Sequence, residues 1–173
     1  MEGIECYITS ELRRIRNQIA GGDESEIVVW VIPGKLACSQ RPLRDDPEFG
    51  GRKPLPPEAK SLVINWVKRI SQIGICSIIC LLECMQLERY YVRGGLGLHT
   101  DGLLGFYRSH GFQVKHLPMT DYQRPQERDM RKVLGSFYEL PKPVLLHCSA
   151  AIDRTAPVAA FIVQQTNQIS HNS

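Results

Sequence analysis

The segment Ile75–Leu82 constrains this chain most. It is an apolar run of strand length that begins just after Gly74, where a helical pattern stops. A strand without polar alternation has to be covered on both faces, as strands inside a parallel sheet are. Its neighbours fit that setting. Leu62, Val63, Trp66, Val67 and Ile70 mark a helix before it, after Pro56-Pro57. After it, Thr100 caps a short predicted helix carrying Leu103, Leu104 and Tyr107, which stops at Gly111. Phe112–Leu117 alternates like a strand. Pro125 opens a helix with Met130, Val133, Leu134 and Phe137 on one face, Pro143–His147 is a short strand, and residues 155–166 form the last helix. Towards the N-terminus, Ile8, Leu12, Ile15 and Ile19 predict a helix over 8–20, ended by Gly21-Gly22. Glu26–Ile32 suits a strand, Pro33-Gly34 a turn, and Lys35–Cys38 a short partner strand. Strands alternating with helices predict an α/β fold of three layers, with a mainly parallel central sheet of four to five strands flanked by helices.

With 173 residues, of which 43% are hydrophobic and 23% charged, residues 1–173 are expected to form one domain. A net charge of +3 is too mild to point to nucleic acid. No apolar run approaches the roughly 20 residues of a membrane span, and the first residues carry no secretory pattern. A cytoplasmic protein with reduced thiols is therefore expected. The six cysteines are Cys6, Cys38, Cys76, Cys80, Cys84 and Cys148, with no C-x-x-C pair and no zinc-site spacing. Neither a metal nor an organic cofactor is implied. The Gly94–Gly97 stretch lacks the third glycine and the flanking elements of a dinucleotide site.

Chemistry concentrates in Val144–Thr155, where a strand enters a loop that opens a helix. The loop starts at Cys148 and ends six positions later at Arg154. In such a turn the backbone N–H groups of Ser149, Ala150, Ala151, Ile152, Asp153 and Arg154 can converge on one anion, helped by the helix N-terminus. Arginine adds a planar fork that matches two phosphate oxygens. The same positive field favours a thiolate at Cys148, the species that attacks phosphorus. The bare C-x5-R pattern is weak, because six cysteines match it by chance in roughly a quarter of chains. Cys38-Ser-Gln-Arg41-Pro42-Leu43-Arg44 also matches. Pro42 removes an N–H from any cradle there and no helix follows, so that segment is read as structural or surface.

His147-Cys148-Ser-Ala-Ala-Ile-Asp-Arg154-Thr155 resembles the protein tyrosine phosphatase signature, His-Cys-x5-Arg-Ser/Thr, and its late position resembles the dual-specificity class. Trp30–Ala37 is similar to the opening strand-turn-strand of small dual-specificity phosphatases, Gly74–Glu83 to their second buried strand, and Tyr107–Pro125 to the strand and acid loop of kinase-associated phosphatases. The resemblance spans residues 28–165. It implies a phosphotyrosine-phosphatase-like fold and hydrolysis of phosphate monoesters, on phosphorylated protein or a small phosphomonoester, through a phosphocysteine. Cys148 is then the nucleophile, Arg154 the phosphate-binding arginine, Asp121 the general acid and base, and Thr155 a hydrogen-bond donor to the sulfur. His147 is a supporting residue that orients the loop.

The departures open alternatives. Glycine is usual where Ala151 stands, which leaves open a catalytically weak phospho-ligand binding module. The Asp153-Arg154-Thr155 ending resembles myotubularins and bacterial phosphatases acting on phosphoinositides, which leaves open a phosphoinositide substrate and an Asp153 that orients Arg154. Cys76, Cys80 and Cys84 recur every fourth position and read as core, while Cys84 is a candidate redox partner that traps oxidised Cys148. The Arg41, Arg44, Arg52 and Lys53 loop is a candidate for recognising an acidic substrate. Only 18 residues follow Thr155, whereas dual-specificity domains continue through further helices. Pro157–Val163 is apolar all round and needs cover, for which the helix at 8–20 is the candidate, while the polar tail 164–173 is expected to fray.

Overall fold

Four-residue strands build the centre of the molecule, and the computed structural model describes residues 2–171. The strands are β1 (Val29–Ile32), β2 (Leu36–Ser39), β3 (Ser77–Cys80), β4 (Gln113–His116) and β5 (Val144–His147), in the spatial order β1-β2-β5-β3-β4. β1 and β2 form an antiparallel hairpin across Gly34, whose φ of 67° is left-handed and suits glycine. Every other pairing is parallel. β5 lies in the middle, and its last residue, His147, is level with Ser39 on one side and Cys80 on the other. Three strands therefore end together, and the crevice beyond the carboxyl ends of such strands is where open α/β sheets bind ligands.

Six helices cover the sheet: α1 (Glu2–Ala20), α2 (Lys60–Gln72), α3 (Cys84–Tyr91), α4 (Gly102–Ser109), α5 (Glu127–Glu139) and α6 (Thr155–His171). Successive strand residues point to opposite faces, and the burial follows that period. Leu36, Cys38, Ile79, Val144 and Leu146 pack with α1, α5 and α6. Ala37, Ile78, Cys80 and Leu145 pack with α2, α3 and α4. The molecule is thus an α/β sandwich of three layers with a five-stranded, mostly parallel sheet, at the upper end of the expected strand number.

The apolar sixth helix receives the cover its sequence demands. Ile8, Leu12, Ile15 and Ile19 of α1 share one cluster with Val158, Ala159, Phe161 and Ile162 of α6. Each of those α1 side chains contributes up to about 2–3 kcal/mol by leaving water. Arg124 closes a two-pronged ion pair on Glu5 at 2.7 and 2.8 Å, tying α1 to the loop before α5.

Several boundaries differ from the sequence reading. β1 begins at Val29 instead of Glu26, β3, β4 and β5 are also shorter, and β2 keeps its expected length but lies one residue later. α1 begins at Glu2, well before Ile8. The N-cap of α4 is Asp101, with no side-chain cap bond, so Thr100 does not cap it. Helix α3 has no counterpart in the predicted elements. The polar tail 164–173 continues α6 to His171, and residues 172 and 173 lie outside the described residues. Gly94 has a packing reason: a Cβ there would stand 1.6 Å from the Leu55 carbonyl oxygen. No helix among the described residues is long and apolar enough to cross a membrane.

Candidate active site

The loop from Cys148 to Arg154 leaves β5 and enters α6 at Thr155. Its backbone N–H groups from 149 to 154 donate to no backbone carbonyl among the described residues. Free N–H groups at the head of a 17-residue helix form a site for an anion. The turn that aims them passes through Ala151, whose φ is 66°. A left-handed alanine costs about 1–2 kcal/mol, so the cradle is strained at the position where glycine was expected. Cys148 itself is only 1% exposed.

Arg154 is as deeply buried as Cys148. Its Nη1 donates to Gln86 Oε1 at 2.9 Å, to the Met119 carbonyl at 3.1 Å and to the Leu81 carbonyl at 3.3 Å. Three acceptors on one nitrogen fix the plane of the guanidinium. Nε has no hydrogen-bond partner among the described residues, and Nη2 makes no well-aligned bond, although Asp121 Oδ1 lies 2.8 Å from it. A buried guanidinium with one edge fully used and the other open presents a fork to an incoming anion.

Asp121 comes to this guanidinium from the loop after β4. Gln86 holds both groups, because its Nε2 donates to Asp121 Oδ2 at 2.8 Å while its Oε1 accepts from Arg154. The Asp121 backbone N–H donates to Glu83 Oε2 at 3.3 Å, and the next residue, Tyr122, has a φ of 59°. Glu83 and Gln86 also form the reciprocal capping box that starts α3. The helix absent from the predicted elements thus supplies the residue that joins arginine to acid.

His147 is fully buried between Trp66 and Tyr107, at 6.4 and 5.9 Å between ring centres. Its Nδ1 is 3.1 Å from the Cys148 carbonyl, which can only accept, so Nδ1 carries the proton and Nε2 accepts from the Tyr107 hydroxyl at 3.2 Å. Burial, aided by the charges of Arg154 and Arg41, pushes its pKa down to about 4. The ring is neutral near pH 7 and pins the first peptide of the cradle. Thr155 Oγ1 is buried without a hydrogen-bond partner among the described residues, so the expected bond to the Cys148 sulfur is not formed in this structure. Asp153 is exposed and makes no ion pair with Arg154; Asp121 holds that position.

Of the other thiols, Cys38 and Cys80 are buried and Cys84 is exposed as the first residue of α3. Burial first, and then the neighbouring Cys148, raises the pKa of Cys38 and Cys80, the latter to about 12. Cys76, Cys80 and Cys84 do not share a face: only Cys80 is buried, because β3 spans Ser77–Cys80 and leaves the other two outside the strand.

The segment read as structural or surface turns out to border the cradle. Arg41 is 0% exposed, stacks on Tyr90 at 3.6 Å, and donates from Nη2 to the Gly51 carbonyl at 2.6 Å and from Nε to Ser149 Oγ at 3.4 Å. Its backbone N–H donates to the Ser149 carbonyl at 2.9 Å. No carboxylate pairs with it among the described residues, so a buried cation lies directly against the anion loop. Arg44 and Arg52 of the same loop line a cavity of about 270 Å³ over the cradle, with Arg13 and Arg16 of α1. Lys53 is not in that lining. No group of three or more His, Cys, Asp or Glu among the described residues is arranged to hold a metal.

No family model and no curated protein sequence matches the chain. Solved structures do match in fold. Tk-PTP in its active form aligns with a TM-score of 0.51 at 17% identity, over 78% of this chain and 71% of that one. A kinase-associated phosphatase whose catalytic-site cysteine is replaced by serine aligns with a TM-score of 0.56 at 17% identity, over 75% of this chain and 65% of that one. This chain therefore spans just under two thirds of that phosphatase. The fold is that of the protein tyrosine and dual-specificity phosphatases, reached here at low sequence identity.

Proposed function

We propose that this protein hydrolyses phosphate monoesters through a phosphocysteine on Cys148. The observation that carries the reading is the Arg154 guanidinium, buried at the end of a six-residue loop of free N–H groups, with an open edge and Asp121 2.8 Å away. The phosphatase-like fold supports it. Substrate phosphate takes the loop N–H groups and the open edge of Arg154. That displaces the Asp121 carboxylate from Nη2 and leaves it beside the leaving oxygen, where it takes up a proton from solvent in place of the lost cation. The Cys148 thiolate forms a bond to phosphorus as the bond from phosphorus to the leaving oxygen breaks, and that oxygen departs with the proton of Asp121. Asp121, now ionised, accepts a proton from water. The water oxygen bonds to phosphorus, the phosphorus–sulfur bond breaks, and the thiolate is restored with release of inorganic phosphate. The N–H groups and Arg154 stabilise the equatorial oxygens in both steps. Thr155 Oγ1, which has no hydrogen-bond partner among the described residues, is the donor for the departing sulfur. His147 keeps the cradle in place and does not carry the proton.

Hydrolysis of an aryl phosphate is the test. The wild type turns it over, Cys148→Ser is inactive, and Asp121→Asn is slowed by about 10²–10⁴-fold. A second reading rests on Ala151: a strained cradle that binds phosphate without useful turnover, making the protein a phospho-ligand binding module. Phosphate binding with no aryl phosphate hydrolysis in the wild type would select it.

A further inference from the structure

The cavity above the cradle carries more positive charge than one phosphate uses. Its wall contains Arg13, Arg16, Arg44 and Arg52, against Asp121 and Asp153. Asp121 is already matched by Arg154. Asp45, behind the wall, accepts two bonds from Arg16, at 2.6 and 3.1 Å, and a longer one from Arg44, at 3.3 Å. Four arginines thus face Asp153 and Asp45, and the surplus equals the charge of one phosphate dianion. The cations are also available. Arg13 has no ion pair or hydrogen bond among the described residues, and the only partner of Arg52 is Tyr122, through its hydroxyl and its ring. Arg16 is held charged first by Asp45, with Cys148 and Asp153 adding to the effect, so its guanidinium lies within the field of the nucleophile. Two separate parts of the chain, α1 and the loop after β2, bring these groups together. At about 270 Å³ the cavity is small for a ligand pocket, which suits a compact polar molecule better than a folded protein surface. Arginine forks match phosphate oxygens in pairs and keep their charge at every working pH.

We propose that Arg13, Arg16, Arg44 and Arg52 form a second phosphate subsite, and that the preferred substrate is a phosphorylated polyol carrying one phosphate besides that on the cradle. The proposal rests on the phosphomonoesterase reading above and names its substrate class. A lipid headgroup and a free polyol phosphate share this chemistry.

The experiment compares kcat/KM for inositol 1-phosphate and inositol 1,4-bisphosphate, with phosphatidylinositol 4-phosphate in phosphatidylcholine vesicles as the lipid arm and a phosphotyrosine peptide as the protein arm. One charge-assisted contact beyond the cradle is expected to favour the two-phosphate compounds by about 30-fold. Arg13→Gln/Arg44→Gln is expected to bring that ratio to within about threefold, and Arg52→Ala to lower it in the same direction. Circular dichroism checks that each variant is folded. Preference for either two-phosphate compound supports the subsite, and the arm that prevails identifies its source. Equal use of one- and two-phosphate inositol by the wild type overturns it, as does a ratio unchanged in the folded variants or a phosphotyrosine peptide preferred over both. Binding of the same soluble inositol compounds to Cys148→Ser by calorimetry separates the two layers of the argument. If no phosphomonoester is hydrolysed, tighter binding of the bisphosphate still supports the subsite, and equal binding overturns it.

Discussion

Acidification should destabilise the fold through His147 by an amount that can be worked out. The ring is fully buried, and its pKa falls from an ordinary 6.5 to about 4. The folded value lies below the unfolded one, so between these two values the unfolded chain binds a proton that the folded protein refuses. The contribution is therefore complete above pH 6.5, is lost as the pH falls towards 4, and loses little more below that. At 1.36 kcal/mol per unit, the total is about 3 kcal/mol by pH 4. That is a large share of the roughly 5–15 kcal/mol that holds a domain together. With a urea slope of about 2 kcal/mol per molar, the unfolding midpoint should drop by about 1.5 M between pH 7 and pH 4 on this account alone. Urea titrations of the wild type and of His147→Gln at several pH values isolate the effect, because carboxylates contribute equally to both. The difference between them should change by about 3 kcal/mol over that window. Should His147→Gln fail to fold, NMR titration of the wild-type ring is the second measurement. A His147 that protonates near 6.5 in the folded protein, or a pH profile unchanged by the substitution, would refute the reasoning.

Other outcomes follow from single contacts. Gln86→Ala removes the group holding both Arg154 and Asp121, and kcat for an aryl phosphate should fall by about tenfold or more with the protein still folded; an unchanged kcat would dissociate that bridge from the chemistry. Ala151→Gly relieves the left-handed backbone at 66°, offset by the entropy of glycine and one lost buried methyl, so stability should shift by less than about 1 kcal/mol while turnover rises. A Tm that moves by many degrees, or slower turnover, counts against strain at that residue. Gly94→Ala should destabilise by at least about 2 kcal/mol in thermal unfolding, since its Cβ would collide with the Leu55 backbone; a neutral effect would mean the two segments separate easily.

Much of this was legible because it is local. Apolar runs and turn residues mark all five strands within a few positions, and the small residues between Cys148 and Arg154 separate the anion loop from the rival match at Cys38. The alternation of strand burial then set the layers. What escaped was carried by polar residues in tertiary positions. α3 buries Gln86, Tyr90 and Tyr91 and so shows no apolar stripe. Its one local signal is Glu83 followed three residues later by Gln86, the pairing of a capping box. Arg41 looks like a surface cation in the sequence and becomes a fully buried one, because Tyr90 and the carbonyls of Pro42 and Gly51 give it a place. Arg13 and Arg16 lie on a helix expected only as cover. Their place in the cavity wall depends on how α1 docks on α6, which its periodicity does not specify. Asp121, the proposed general acid, was placed by resemblance, whereas its pairing with Arg154 and the Gln86 bridge between them are visible only in three dimensions.

The central claim is that Cys148 becomes covalently phosphorylated during turnover. Rapid mixing with an aryl phosphate, acid quenching and peptide mass spectrometry measure it directly. The account predicts a burst of aryl alcohol matching the enzyme concentration, a phosphate adduct on the peptide that contains Cys148, and neither in Cys148→Ser. Steady hydrolysis with no adduct on that peptide, or hydrolysis that persists in Cys148→Ser, would contradict it.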